Sequence, residues 1–303
     1  MKLDLDVARR RAVGYAAGIA AGVSYGLNPL FAKPLMESGV PVLVMLFFRY
    51  FFSVLFLAGW MLVRRESFRV RAGEMGLLAV LGLLFSASSL FLFASYSYIP
   101  SGLATTLVYL YPVFVALIMV FLRFYPSWQT WVSILATFGG IVLMSRPSPG
   151  MTVQPLGLAL AVLSGLSYAC YLVIVNRSRR IRGVSEHKLT FYALLTGTVL
   201  FAVLRTAQGG GMTEGVDTLE DWGALLGLAF FPTMISLLTL AVASRLIGPT
   251  RTSVLGVFEP LTALLVGTVL FGEPVTAPML AGVGVCIAAV IFMILKPGAS
   301  PRP

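Results

Sequence analysis

The feature that most constrains this chain is a series of long apolar segments separated by short polar ones. A helix needs about 20 apolar residues to cross the hydrocarbon core of a bilayer, which is roughly 30 Å thick. Segments of this kind lie at 12–35, 42–63, 73–98, 101–122, 128–145, 155–176, 187–205, 222–244, 249–271 and 276–295. We therefore predict an all-α integral membrane protein with ten transmembrane helices.

The composition agrees with this fold class. The sequence is 58% hydrophobic and only 11% charged over 303 residues, whereas soluble domains carry about 25% charged residues. So few charges could not cover the surface of a soluble protein of this size. The connecting segments are short, and none is long enough to form a separate soluble domain.

The basic residues predict how the helices are oriented. Lysines and arginines are concentrated on one set of termini and loops, and the opposite set holds only Lys33, Arg146 and Arg205. By the positive-inside rule, both termini lie in the cytoplasm, and we expect the protein in a bacterial inner membrane. The net charge of +10 thus follows from topology and requires no nucleic-acid partner.

A short motif occurs twice, which indicates an internal repeat. GVSYG at residues 22–26 is matched by GLSYA at residues 165–169, and both lie inside apolar segments. Extending the alignment divides the chain into two five-helix halves, 1–151 and 152–303. Because five is odd, the two halves would have opposite orientations in the membrane. Transporters use such inverted repeats for alternating access, with the substrate site near the membrane midplane.

The first predicted helix carries a stripe of glycines at four-residue spacing, which allows a neighbouring helix to approach closely. They are Gly14, Gly18, Gly22 and Gly26, and we assign them a structural role. Tyr25 and Asn28 lie on the arc beside this stripe, and we predict that they face a cavity. Asn28 precedes Pro29, which removes one backbone hydrogen bond and should loosen the helix.

Polar side chains inside other predicted helices mark a candidate substrate cavity, because polar groups in hydrocarbon usually line an interior path. In the third segment such residues share one helical face, and tyrosines deep in the fourth and sixth segments need hydrogen-bond partners. Besides Tyr25 and Asn28, the predicted cavity residues are Ser86, Ser89, Phe93, Tyr96, Tyr109, Tyr111, Tyr168, Tyr171 and Glu259.

Glu259 is an acidic residue near the predicted membrane centre. It could bind an ammonium group or carry a proton, or it could be a structural partner for groups freed by Pro260. We favour a functional role, since its counterpart in the first half, Tyr111, is also polar and also precedes a proline.

Arg49 is a cation embedded in the second predicted helix. Its side chain could extend to the interface or pair with Glu273, and we favour such a structural role over ligand binding. Pro112 and Pro260 are also assigned structural roles.

The sequence contains no motif of a known catalytic chemistry. It has no G-x-x-x-x-G-K-[ST] phosphate loop, no H-E-x-x-H and no cysteine–histidine spacing typical of a metal site. We therefore expect no cofactor, no metal and no enzymatic activity, and the chain alone could not pump with ATP.

Several motifs together resemble a known family. They are Pro112 and Pro260 in the fourth and ninth helices, the stretch LFGEPVTAPMLAGVGVCIAAV at 270–290, and Arg49 within RYFFSVLFLAGW. Over essentially its whole length the sequence resembles the drug/metabolite transporter superfamily of the EamA type, but it has Tyr125 where the family often has glutamate. It is most similar to aromatic amino-acid exporters of that superfamily. The resemblance implies a central cavity enclosed by the first, third, fourth, sixth, eighth and ninth helices.

The main functional hypothesis is therefore an exporter of amino acids with aromatic or apolar side chains, whose substrates could extend to other neutral amino acids. A multidrug or organic-cation exporter is the second hypothesis, and a membrane-embedded receptor or assembly partner without transport activity is the third. The expected partners are the lipid bilayer and small amino-acid substrates, with a monomer as the working assembly. Proton coupling and facilitated transport both fit the sequence.

Overall fold

The computed structural model describes residues 2–95, 98–99, 104, 107–144, 154–271 and 276–295. These residues form helices and connecting turns, with no strand among them. In chain order the helices are α1 (Lys2–Gly26), α2 (Asn28–Glu37), α3 (Val42–Val63), α4 (Ala72–Ser95), α5 (Tyr111–Phe121), α6 (Trp128–Met144), α7 (Pro155–Arg177), α8 (Glu186–Ala207), α9 (Leu219–Ala229), α10 (Ser236–Ile247), α11 (Pro249–Leu255), α12 (Phe258–Phe271) and α13 (Ala277–Leu295).

Six helical stretches in this part of the chain are long and apolar enough to cross a membrane. They are Val42–Val63, Ala72–Ser95, Pro155–Arg177, Glu186–Ala207, Leu219–Ile247 and Pro249–Leu270. Three shorter apolar helices lie at Tyr111–Phe121, Trp128–Leu143 and Leu280–Phe292. The all-helical prediction is confirmed for these residues, and the total of ten spans stays a prediction.

The first predicted helix is divided where the Asn28-Pro29 pair suggested. Helix α1 ends at Gly26 and α2 begins at Asn28. Around Leu27 the chain makes turn-type bonds, from the Leu27 N–H to the Ser24 carbonyl and from the Leu30 N–H to the Leu27 carbonyl.

A second irregularity interrupts the helix that joins α9 to α10. The segment Phe230–Ile235 is π-helical and contains Pro232. Proline has no N–H group, so it cannot close a normal helical bond to the carbonyl four residues earlier. Single π-helical turns of this kind often occur at functional sites.

The four glycines of α1 face the segment that runs from α10 into α12. A methyl group on Gly14 would lie 2.6 Å from Ile247 Cγ2, and one on Gly22 would lie 2.9 Å from Phe258 Cβ. One on Gly26 would lie 2.5 Å from the Glu259 carbonyl oxygen. The small residues therefore set how closely α1 approaches α12 and the residue Glu259.

The corresponding glycines of α7 make a similar approach in the other direction. A methyl group on Gly157 would lie 2.7 Å from Tyr98 Cβ, and one on Gly165 would lie 2.8 Å from the Val108 carbonyl oxygen. Helix α1 thus lies close to the second half of the chain, and α7 lies close to the first.

Replacing Gly26 with alanine is expected to lower stability by about 1–3 kcal/mol, the usual cost of adding a carbon to a packed interface. The thermal unfolding midpoint in detergent measures the effect. Gly59→Ala is the matched control, since Gly59 is an exposed helical glycine with nothing within 4 Å of the added carbon. Equal midpoints for the two variants would contradict the tight approach of α1 to α12.

Candidate functional site

Four tyrosines form an aromatic cluster inside the bundle. Tyr109 lies in the turn before α5, Tyr111 begins α5, and Tyr168 and Tyr171 lie one turn apart on α7. The Tyr111 and Tyr168 rings meet edge to face at 4.9 Å between centroids. The Tyr109–Tyr111 and Tyr168–Tyr171 centroids lie 5.9 and 6.3 Å apart, and Phe85 packs 5.5 Å from Tyr171. Ring edges and faces at these separations are favourable aromatic contacts.

The hydroxyl groups of this cluster are only partly satisfied. The Tyr111 hydroxyl donates to the Ser253 carbonyl oxygen at 2.9 Å. The hydroxyls of Tyr109 and Tyr171 are buried, and within the described residues neither makes a hydrogen bond of normal geometry. Buried polar groups in proteins are nearly always hydrogen-bonded, so the Tyr171 hydroxyl is available to a ligand or to water.

Glu259 brings a carboxylate to one side of the tyrosine cluster. It lies in the first turn of α12, where Pro260 is tolerated because the first turn needs no N–H donor. The Glu259 side chain is half-buried and interacts electrostatically with Tyr25, Tyr109 and Tyr111. The Tyr109 hydroxyl faces this carboxylate.

Arg49 brings a guanidinium group to the same region from α3. It is only 1% exposed. Its Nε donates to Thr233 Oγ1 at 2.6 Å, and its Nη2 lies 3.5 Å from the Pro232 carbonyl oxygen. The guanidinium carbon lies 5.3 Å from the centroid of the Tyr25 ring, within the range of a cation–π interaction.

The proline in the π-helical segment explains how Arg49 is held. Pro232 has no N–H group to offer the Leu228 carbonyl, four residues earlier. The Thr233 hydroxyl donates to that carbonyl at 2.9 Å and accepts from Arg49 Nε. The Leu228 carbonyl, which lacks its usual donor because of Pro232, therefore orients the Thr233 hydroxyl that positions Arg49.

The two charges share a neighbour but do not form a direct ion pair. Arg49 lies over the Tyr25 ring, and Glu259 also interacts with Tyr25. Arg49 and Glu259 act on each other electrostatically, and no salt bridge joins them. A cation and an anion thus act on Tyr25 from separate positions, and the anion also acts on Tyr109 and Tyr111 of the tyrosine cluster.

The residues that were predicted to share one face of the third segment have two different surroundings. Ser89 bonds the Tyr50 hydroxyl at 3.0 Å, and Ser86 is buried beside the same tyrosine. Phe93 instead lines a cavity of about 280 Å³, together with Val42, Leu43, Leu90, Ala94, Leu204 and Gln208.

Three other predicted site residues have different outcomes. Asn28 starts α2, and its Oδ1 atom is buried without a hydrogen-bond partner in the described part of the chain. Tyr96 and Glu273 lie outside the described residues, so the suggested Arg49–Glu273 pair stays a prediction.

Sequence reasoning missed the groups that hold Arg49 and Tyr111 in place. Pro232 followed by Thr233 inside an apolar segment was a usable signal, because proline there must release a carbonyl. The Ser253 carbonyl that accepts from Tyr111 belongs to the backbone, so the sequence contains no side-chain signal for it. Tyr50 could not be distinguished from the other aromatic residues of its helix.

The chain belongs to the EamA-like transporter family, whose model matches residues 12–146 and again 155–295. The protein is therefore a multi-pass membrane transporter.

Similar proteins agree with this assignment. An uncharacterized transporter of Archaeoglobus fulgidus is 27% identical over 279 residues, which cover 92% of this chain and 95% of that protein. The inner membrane transporter YedA of Escherichia coli K12, also uncharacterized, is 24% identical over 219 residues, covering 72% and 70% of the two chains. A solved structure with 18% sequence identity matches with a TM-score of 0.77 over 94% of this chain and 97% of its own, which shows a shared fold.

Replacing Thr233 with valine is expected to destabilise the protein by about 2–3 kcal/mol, because Arg49 loses a charged hydrogen bond. Thermal unfolding in detergent measures the change. Thr239→Val is the control, since the Thr239 hydroxyl donates only to Ile235 and Ser236 carbonyls of its own helical stretch. A loss as large in the control would show that Thr233 has no special role.

Proposed function

We propose that the protein exports amino acids with aromatic or apolar side chains by alternating access. In this proposal the chain crosses the membrane ten times as two inverted halves, 1–151 and 152–303, with both termini in the cytoplasm. The observation that carries the substrate class is the placement of Arg49 and Glu259 around Tyr25, with Glu259 beside the tyrosine cluster and no direct ion pair between the two charges.

Such a pair of separated charges fits the head group of an amino acid. A carboxylate would bind the guanidinium of Arg49, and an ammonium group would bind Glu259. Arg49 donates from Nε to Thr233 and from Nη2 to the Pro232 carbonyl, and its guanidinium also lies over the Tyr25 ring. In this proposal the guanidinium binds the substrate carboxylate, a role beyond the structural one that the sequence favoured.

The tyrosine cluster fits the side chain of such a substrate. The Tyr111 and Tyr168 rings already meet edge to face, and an aromatic or apolar side chain could pack against the same surfaces. Aromatic contacts of this kind contribute about 0.5–1.5 kcal/mol beyond the burial of area. The Tyr109 hydroxyl, which faces Glu259, would help to hold the polar head.

Two observations support the inverted repeat. The family model matches once in each half. The helix packing also has the pattern of a two-fold axis: α1 packs on α10 and α7 on α4, while α3 packs on α8 and α6 on α13. If the two halves are exchanged, the α1–α10 contact becomes the α7–α4 contact, and the α3–α8 and α6–α13 contacts map onto themselves.

Purified protein in liposomes loaded with radiolabelled phenylalanine would test the function. We expect saturable phenylalanine flux that is inhibited more strongly by other aromatic amino acids than by phenethylamine or 3-phenylpropionate, each of which lacks one charge. Glu259→Gln should reduce the flux at least about tenfold, corresponding to the loss of one charged hydrogen bond.

Glu74→Gln is the control for the lost charge. Glu74 lies in the first turn of α4, where its carboxylate accepts from the Arg71 backbone at an exposed position, so we expect wild-type flux. Glu259-dependent flux of an organic cation without phenylalanine flux would instead identify a cation exporter. Absence of flux for every solute would favour a receptor.

A further inference from the structure

A second polar cluster lies away from the tyrosines that face Glu259, where the end of α7, the start of α8 and the end of α10 meet. Four buried side-chain atoms on these three helices have no hydrogen-bond partner in the described part of the chain: Tyr171 Oη, Thr190 Oγ1, Ser244 Oγ and Arg245 Nη2. Thr190 and Ser244 have no exposed surface. In the proposed topology this end of the bundle faces the cytoplasm.

One ion pair spans this cluster. Arg245 Nη1, in the last turn of α10, lies 3.1 Å from Glu186 Oε1, in the first turn of α8. Their side chains are 21% and 30% exposed, so the pair lies between solvent and the buried polar atoms. Asn176 Nδ2 donates to the Ser244 carbonyl at 2.6 Å, which ties α7 to the same end of α10.

Only one of the two terminal nitrogens of Arg245 is paired within the described residues. Arginine and a carboxylate commonly form two parallel hydrogen bonds, yet here Nη1 contacts Glu186 while the buried Nη2 has no acceptor among the described residues. Leaving a buried donor unpaired costs about 1–3 kcal/mol, and more for a charged group. Arg245 also acts electrostatically on Tyr171, whose buried hydroxyl is unpaired within the described residues, and a ligand carboxylate could accept from both groups.

We propose that Arg245 and Tyr171 form a carboxylate-binding site at the cytoplasmic end of the transport path, and that Glu186 occupies this site in the closed state. A substrate carboxylate arriving from the cytoplasm displaces Glu186, which separates α8 from α10 and opens the path. Tyr171 stacks against Tyr168, which contacts Tyr111. The site therefore leads directly into the tyrosine cluster beside Glu259, and the identity of the carboxylate as an amino acid rests on the proposed function.

The two partners of the ion pair should have opposite effects on carboxylate binding. In inside-out vesicles, Glu186→Gln removes an internal competitor and should lower the half-saturating phenylalanine concentration several-fold. Arg245→Gln removes the binding group and should raise it at least about tenfold, with partial recovery in Arg245→Lys. Glu66→Gln breaks the adjacent pair of Glu66 with His187 and should change nothing. Shifts in the same direction for Glu186→Gln and Arg245→Gln would show a purely structural ion pair.

A labelling experiment separates this proposal from the function proposed above. In a Cys170→Ser/Cys286→Ser background, Thr190→Cys is buried and should react slowly with a membrane-impermeant maleimide. Adding Glu186→Gln should raise the rate, and 3-phenylpropionate should lower it again unless Arg245→Gln is also present. Protection by this carboxylate without phenylalanine transport would support the carboxylate site and contradict the proposed amino-acid substrate. Phenylalanine transport without any protection would contradict the carboxylate site.

Discussion

In the hydrocarbon core of a bilayer, every backbone N–H and C=O group has to find a partner inside the protein. The described helices depart from regular bonding near Leu27, at Pro232 and between Leu255 and Phe258. These departures lie beside the two charged residues of the candidate site. Gly26 approaches Glu259 next to the first, and Thr233 holds Arg49 next to the second. The backbone irregularities thus provide acceptors for Arg49, which lies in the regular helix α3, and a close helix approach at Glu259.

Much of the helical organisation could be predicted from hydropathy. The segment 42–63 coincides with α3, and 128–145 nearly coincides with α6. Length and apolarity suffice there because a regular helix satisfies its own backbone. The π-helical segment at Phe230–Ile235 was not predicted, since its signal is a single proline whose consequence depends on the neighbouring Thr233 and Arg49.

The candidate site was only partly predictable for a related reason. Tyr109, Tyr111 and Glu259 stood out as polar residues at improbable depth, and the structure brings them together. The position of Arg49 relative to them depends on the pairing of α3 with the π-helical segment. Sequence spacing within one helix carries no information about such a contact between helices. The same limit explains why Ser86 and Phe93, on one predicted face, have different surroundings.

The glycine contacts of α1 have a mechanical consequence. Large interdigitated side chains resist sliding, because movement would force each of them out of its rotamer well. Along α1, glycine backbone lies directly against Ile247, Phe258 and Glu259, so the two surfaces have little relief to interlock. Such a flat contact surface allows α1 to slide along its partner helices at small cost. The glycine-lined contact surface of α7 would allow the matching displacement in the other half. One motion could then tilt α1 and α7 without repacking the core.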